Sequence, residues 1–242
     1  MVKLIQCLYR LPNLSQEEFH DHWLECHAPL VHSVKPIRIY IQYHTVGSNP
    51  MDRPALSSTE PFDGVAAVCW DSLEALKAEM ENGTAYQAVL EDEKLFIDHS
   101  RSITCLTEER VPVEVEGSSP LVMVECHRHR PDLDRLTFQE SWNNIHGDYG
   151  QDIYNQGLMS GFVQNNVISH QVEKNTLKTL GIDVDTYDGI GMAYFESMAK
   201  LRKMNSLTVV YEESFEAEES FDDHDQMVSL LTMRYPVKEI VR

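Results

Sequence analysis

The strongest constraint on this chain is that it repeats itself. Cys7, Pro12, Leu14, Phe19, Trp23 and His27 fall on Cys126, Pro131, Leu133, Phe138, Trp142 and His146 at one constant spacing, with no gap. Further on, "FDGVAAVCWDS" from Phe62 returns as "YDGIGMAYFES" from Tyr187, and Phe96, Asp98 and His99 return as Phe221, Asp223 and His224. A chain of 242 residues built this way divides into halves of about 110 to 120 residues, each long enough to bury a core. The expected boundaries are 1–110 for the first repeat, 111–119 for a linker and 120–242 for the second.

Local patterns give each half an order of elements. "KLIQCLYR" is rich in aliphatic and aromatic residues and stops at the "LPNLS" turn, which predicts a strand. Ser15 then reads as a helix N-cap, with Glu18 completing a capping box. Phe19, Trp23, Leu30 and Val34 supply an apolar helix face, and Pro29 predicts a kink just after His27. "IRIYIQYHTV" alternates as a second strand, followed by a Pro- and Ser-rich loop over 47–61. A third strand, a helix capped by Asp71 or Ser72, a second helical piece and the strand "SITCLT" complete the half. The order is βαββαβ, and the second half repeats it. The acidic run from Glu212 to Asp225 reads as a solvated helix face, and the two "DG" pairs as turn chemistry.

The stretches "RLPNLSQEEFHDHW…HAPL", "YIQYH", "FDGVAAVCWDS" and "FIDHS" resemble the EthD-like family of the dimeric α+β barrel superfamily. The second half keeps "W…H" and "YDGI" but has "HGDY" where that family has "HGPL" or "HAPL", so Asp148 is a departure. The resemblance implies an α+β fold: two ferredoxin-like βαββαβ repeats forming a pseudo-dimeric α+β barrel, with four-stranded sheets packed face to face and helices outside. One chain would then mimic the usual homodimer, and further association of the two-repeat chain into a homodimer is compatible with this. Members of the superfamily are similar to cofactor-free dehydratases, cyclases, isomerases and monooxygenases of aromatic or polyketide-like compounds. Their sites lie between sheet and helices.

The residues that could carry chemistry are mostly histidines. His27 and His146 follow a tryptophan by four on the helix stripe, and each is either a structural imidazole or a general acid/base. On strand periodicity Glu125, His127 and His129 share one face, a polar addition where the first half has Gln6, Leu8 and Arg10. An H-x-H pair beside a carboxylate is compatible with metal binding, proton transfer or an exposed strand end, but no third ligand stands at a fixed spacing, so no metal is expected. His44 shares a face with Tyr40 and Gln42, with Tyr43 opposite; Phe162, Gln164 and Asn166 are the counterparts. The candidate catalytic residues are His27, Tyr43, His44, His127, His129 and His146, and the candidate substrate contacts are Tyr9, Trp23, Tyr40, Arg128, Trp142, Tyr149 and Asn166. His20, His22 and His32 are expected to face solvent.

Composition narrows the partners. A formal charge of −19 opposes nucleic acid and anionic lipid. Five cysteines with no CxxC pair suggest buried thiols rather than a disulfide framework or structural zinc. The opening "MVKLIQCLYRLP" lacks a signal-peptide pattern and no apolar run would span a bilayer, so a cytoplasmic protein is expected. P-loop, dinucleotide and G-x-S-x-G motifs are absent. The expectation is a cofactor-independent lyase of the dehydratase, cyclase or C–C lyase type, acting on an aromatic or phenolic small molecule by His/Tyr acid–base chemistry. The alternatives are a cofactor-free monooxygenase and a non-catalytic small-molecule binder.

Overall fold

The computed structural model describes residues 1–48, 60–183, 187–206 and 216–239. Most of the 47–61 loop, and residues 212–215 of the acidic run, lie outside these. The first half contains β1 (Val2–Leu8), α1 (Gln16–Asp21), a π-helical turn (His22–His27), α2 (Ala28–Ser33), β2 (Ile37–Ser48), β3 (Gly64–Trp70), α3 (Leu73–Asn82), α4 (Thr84–Glu93) and β4 (Ile103–Val113). The second contains β5 (Leu121–His127), α5 (Arg135–Ser141), a second π-helical turn (Trp142–His146), α6 (Gly147–Asn155), β6 (Gly161–Val167), α7 (Lys174–Thr179), β7 (Gly189–Phe195), α8 (Met198–Asn205) and β8 (Val228–Lys238).

Helix starts follow the sequence signals. Ser15 and Glu18 form the reciprocal capping box, and Ser72, Asp134 and Ser197 cap α3, α5 and α8 through their side-chain oxygens. The kink expected after His27 is corrected. Ala28 is helical (φ −57°, ψ −42°), and its N–H bonds back to Trp23 O, so the wider π turn carries the chain into α2 with Pro29 at its start. Proline is tolerated there because the wider i→i−5 turn just before it takes up the missing N–H and the bulk of the ring.

Two ferredoxin-like repeats with separate sheets stacked face to face are not what forms. All eight strands close into one antiparallel barrel in the order β1-β3-β2-β8-β5-β7-β6-β4, so the strands of each half lie side by side but out of sequence order. The seams are β2 against β8, with Gln42 opposite Tyr235, and β4 against β6, with Glu109 opposite Asn165. The physical reason lies in the edges. β2, β4 and β8 run for 12, 11 and 11 residues, against 7 for β1. Their extra length carries backbone N–H and C=O groups past their own neighbours, and each finds a partner strand from the other half. β4 accordingly takes in Val111–Val113 of the expected linker.

Strand alternation sorts the side chains into two environments. Ile5, Cys7, Tyr43, Val65, Cys105, Val124, Cys126, Ile190, Met192 and Leu230 fill the barrel interior. There Cys7 and Cys126 place their sulfurs 3.9 Å apart as free thiols, and Tyr43 meets Tyr194 hydroxyl to hydroxyl at 3.1 Å. Leu4, Leu8, Phe19, Trp23, Tyr40 and Val68 form the layer between barrel and first-half helices. β3 and β7 are buried along their whole length because they are covered on both faces. Among the described residues no helix is long and apolar enough to cross a membrane.

Candidate functional site between barrel and helices

In each half the layer between strand and helix is organised around one fully buried tryptophan, Trp23 or Trp142. The glycine of each "DG" pair makes room for it: a Cβ on Gly64 would lie 2.4 Å from Trp23 Cζ3, and one on Gly189 2.7 Å from Trp142 Cζ3. Neither glycine has a positive φ, so indole packing rather than turn geometry selects it. The aspartates are not turn residues either. Asp63 accepts from the Arg10 N–H at 2.9 Å, and Asp188 accepts from the His129 N–H at 2.7 Å, sits 2.6 Å from His129 Nδ1 and pairs with Arg135. The turn reading of "DG" is therefore corrected to that of a buried charge anchor.

The π turn places the histidine four residues after each tryptophan beside it, and such turns recur at functional sites. In the first half the polar groups around it are occupied. Trp23 Nε1 donates to Tyr40 Oη at 2.8 Å, Gln42 Nε2 donates to Trp23 O at 2.8 Å, and Gln42 Oε1 meets His44 Nε2 at 2.9 Å. His44 is stacked on Trp23, and burial, with His20 nearby, holds its pKa down to about 3, so it stays neutral. His27 Nδ1 and His22 Nε2 share Asp92, at 2.8 and 3.0 Å. His20 lies 3.1 Å from the Asp63 carbonyl. His20 and His22 are therefore only partly exposed, where solvent-facing side chains are expected; His32 is exposed.

The second half differs where it matters. Its backbone bonds run in parallel: Leu11 N–H to Phe96 O and Asp98 N–H to Tyr9 O are matched by Arg130 N–H to Phe221 O and Asp223 N–H to Arg128 O. At matched positions Gln6 becomes Glu125, Leu8 becomes His127, Ile97 becomes Asp222, Tyr40 becomes Phe162 and Ala66 becomes Gly191. These changes converge on one place. His127 Nδ1 lies 2.6 Å from Asp222 Oδ2, both side chains being buried. His146 Nε2 lies 3.6 Å from Glu218 Oε1, whose other oxygen is 3.7 Å from His224. The rings of His127 and His146 sit 5.2 Å apart, edge to face, with Trp142 and Phe162 beside them. Glu125 stands opposite Gly191 on β7.

Electrostatics separate these groups. Burial disfavours charge on His127, yet Asp222, Glu125 and Glu218 outweigh it and raise its pKa to about 9. Burial lowers His146 to about 4 and raises Glu125 to about 7. Glu218 is held below its ordinary value: burial would raise it, but His146, His224 and His127 prevail. Replacing Tyr40 by Phe162 leaves Trp142 Nε1 with no hydrogen-bond partner, and His127 Nε2, His146 Nδ1, Asn166 Oδ1 and Asp222 Oδ1 are likewise buried without one.

The sequence-derived residues thus fall into separate groups. His127 and His146 come together, with Trp142 beside them. Asn166 is nearby on β6, bonded to Asn143, and Tyr149 is partly buried on α6. His129 gives its imidazole to Asp188, whereas His127 gives its own to Asp222. Tyr43 points into the barrel and does not join His44. Tyr9 and Arg128 line a pocket of about 360 Å³ at the barrel mouth, with Phe62, Arg101, Tyr187 and Gln226. Asp92, Glu218 and Asp222 were not anticipated. The solvated-face reading of the acidic run is corrected, since Glu218 and Asp222 are buried. The signal available was the equal spacing of Glu93–His99 and Glu218–His224, whose pairs lie 3.6 and 3.7 Å apart.

Comparison with known proteins follows the same lines. Residues 11–100 match the EthD domain. No curated protein matches the chain significantly. Among solved structures, an anthrone oxidase-like protein superposes with a TM-score of 0.64 at 10% identity, over 99% of this chain and 94% of that one. A candidate monooxygenase from Lactobacillus acidophilus NCFM gives 0.55 at 10% identity, over 100% and 98%. One from Fusobacterium nucleatum subsp. nucleatum gives 0.58 at 6%, over 99% and 98%. At these identities the likeness is one of fold. Residues 11–100 of this chain thus match the EthD domain, and they lie in an eight-stranded barrel whose fold is shared with these solved structures.

Proposed function

We propose that the protein is an oxygen-using enzyme acting on an aromatic small molecule that carries an acidic C–H or O–H group, with its reaction centre at the second-half cluster. The observation that carries this reading is the set of buried polar atoms without partners, His127 Nε2, His146 Nδ1 and Trp142 Nε1, gathered between aromatic walls. Buried polar groups in a folded protein are nearly always satisfied, so a concentration of exceptions marks a place built for a ligand. The first-half counterparts Trp23, Tyr40 and His44 are bonded to one another or through Gln42 and serve as packing. Solved structures of this fold described as monooxygenases and as anthrone oxidase-like support the class of reaction.

The chemistry balances without an external reductant. A ring-activated methylene gives up two hydrogens, one atom of O₂ becomes its carbonyl oxygen, and the other leaves as water. The test is oxygen uptake with a panel of tricyclic aromatic ketones and phenols. One O₂ consumed per product, with a loss of about a hundredfold or more in His127→Ala and His146→Ala measured below their melting temperatures, is expected. Turnover without oxygen uptake would replace this reading by the lyase one. One observation favours that second reading: His27 and Asp92 form a 2.8 Å dyad of the kind a general base uses.

A further inference from the structure

We infer that Glu125, His127 and His146 form a binding site for one divalent first-row transition ion, with Asp222 and Glu218 as the carboxylates that orient the two imidazoles. The inference deepens the proposed function, since it places the ion in the same reaction centre. One ligand atom from each of Glu125, His127 and His146 lies within 4.8 Å of the others. Donors bound to a single ion at about 2.0–2.2 Å are themselves up to about 4.4 Å apart, so small side-chain rotations close the set. β5 supplies two donors from one strand face, and the π turn delivers the third from the helix above. That third donor is what the strand sequence could not reveal.

The outer contacts make the arrangement specific. A metal-bound imidazole characteristically gives its other nitrogen to a carboxylate, which fixes ring and tautomer. His127 commits Nδ1 to Asp222 at 2.6 Å and leaves Nε2 buried without a partner. His146 turns Nε2 toward Glu218 at 3.6 Å and leaves Nδ1 buried without a partner. Two imidazoles and one carboxylate are the donor set of open iron and zinc sites, which keep positions free for oxygen or substrate. Gly191 keeps that approach clear: a Cβ there would stand 3.7 Å from His127 Nε2, 3.7 Å from His146 Cε1 and 3.8 Å from Phe162. The first half, with Gln6, Leu8, Ile97 and Ala66 at the matched positions, has neither the donor set nor the space.

The experiment is titration of the chelator-treated full chain with Co(II) and, separately, Zn(II), read by visible absorption and by calorimetry, with no substrate present. One ion per chain, with the visible bands of a four- or five-coordinate Co(II) site, is expected. His127→Ala and Glu125→Gln should abolish the bands, and Asp222→Asn should weaken binding by about 10- to 100-fold. Gly191→Ala places a methyl at ordinary contact distance, so it should fold normally yet perturb the bands. His27→Ala should leave them unchanged. Absence of saturable binding, saturable binding that survives His127→Ala or Glu125→Gln, or bands unchanged in Gly191→Ala, overturns the inference. Because no turnover is involved, the site can stand when the oxygenase reading fails. Oxygen uptake by metal-stripped protein, with no ion bound on titration, would sink the site and leave the oxygenase.

Discussion

Glu93 and Glu218 occupy matched positions, yet their neighbours give them opposite preferences. Glu93 is buried beside Asp92, with His99 3.6 Å away; burial first, and Asp92 second, raise its pKa to about 7. Glu218 faces three histidines and is held down. A carboxyl whose folded pKa exceeds its unfolded value adds stability that is complete below the unfolded pKa, near 4.5, and is lost as pH rises through about 7. Glu93→Gln should therefore melt with the parent at pH 4 and above it at pH 8, by an amount on the order of 3 kcal/mol. Equal melting curves at pH 8 would show that Glu93 is not desolvated. At this scale the sequence was partly readable. His127, His146 and Trp142 stood out by type and spacing, whereas Asp222 and Glu218 looked like members of a charged surface run. Their burial depends on how the segment over 216–226 docks beside the end of β5, which no local pattern encodes.

The π-helical turns show how far element-level reading reaches. Ser15, Glu18 and the apolar spacing of Phe19 and Trp23 fix where the first helix begins and which face it buries, because caps and periodicity are local. The widening at His22–His27 is not local. It occurs in both halves where the indole fits over the glycine of the neighbouring strand, with Pro29 following in one half and Asp148 in the other. Gly64→Ala should accordingly be costly. Its Cβ meets the fixed ring of Trp23 rather than a flexible chain end, and overpacking of this kind typically costs about 1–3 kcal/mol. Thermal denaturation checks it. A variant as stable as the parent would mean that the helix slides freely on the strand. Each Asp-Gly pair has the look of a turn for a related reason: sequence shows the residue types but not the indole and the arginine that they serve.

For the whole molecule, the duplication marks the repeated elements but not the single closed barrel that they build. Repeats are visible as spacing, but the pairing of β2 with β8 and of β4 with β6 joins residues that have no sequence relation to one another. Those seams join the halves through backbone pairing, and they yield a prediction. In the second half β8 holds beside β5 the place that β4 holds beside β1. Two copies of a 1–119 fragment can therefore close a barrel with β2 of each against β4 of the other. Light scattering should find a dimer; a stably folded monomer would show that the edges tolerate exposure. The same seams impose an order on synthesis. β8 borders both β2 and β5, so until the segment from Val228 onward has emerged, the edges of β2 and β5 wait unpaired while the other seven strands are already made. Contacts of such wide sequence separation form slowly, and unpaired edges recruit neighbouring chains. A ribosome stalled or a protease cutting shortly before residue 228 would thus release a chain with most of its core and none of its protection against aggregation.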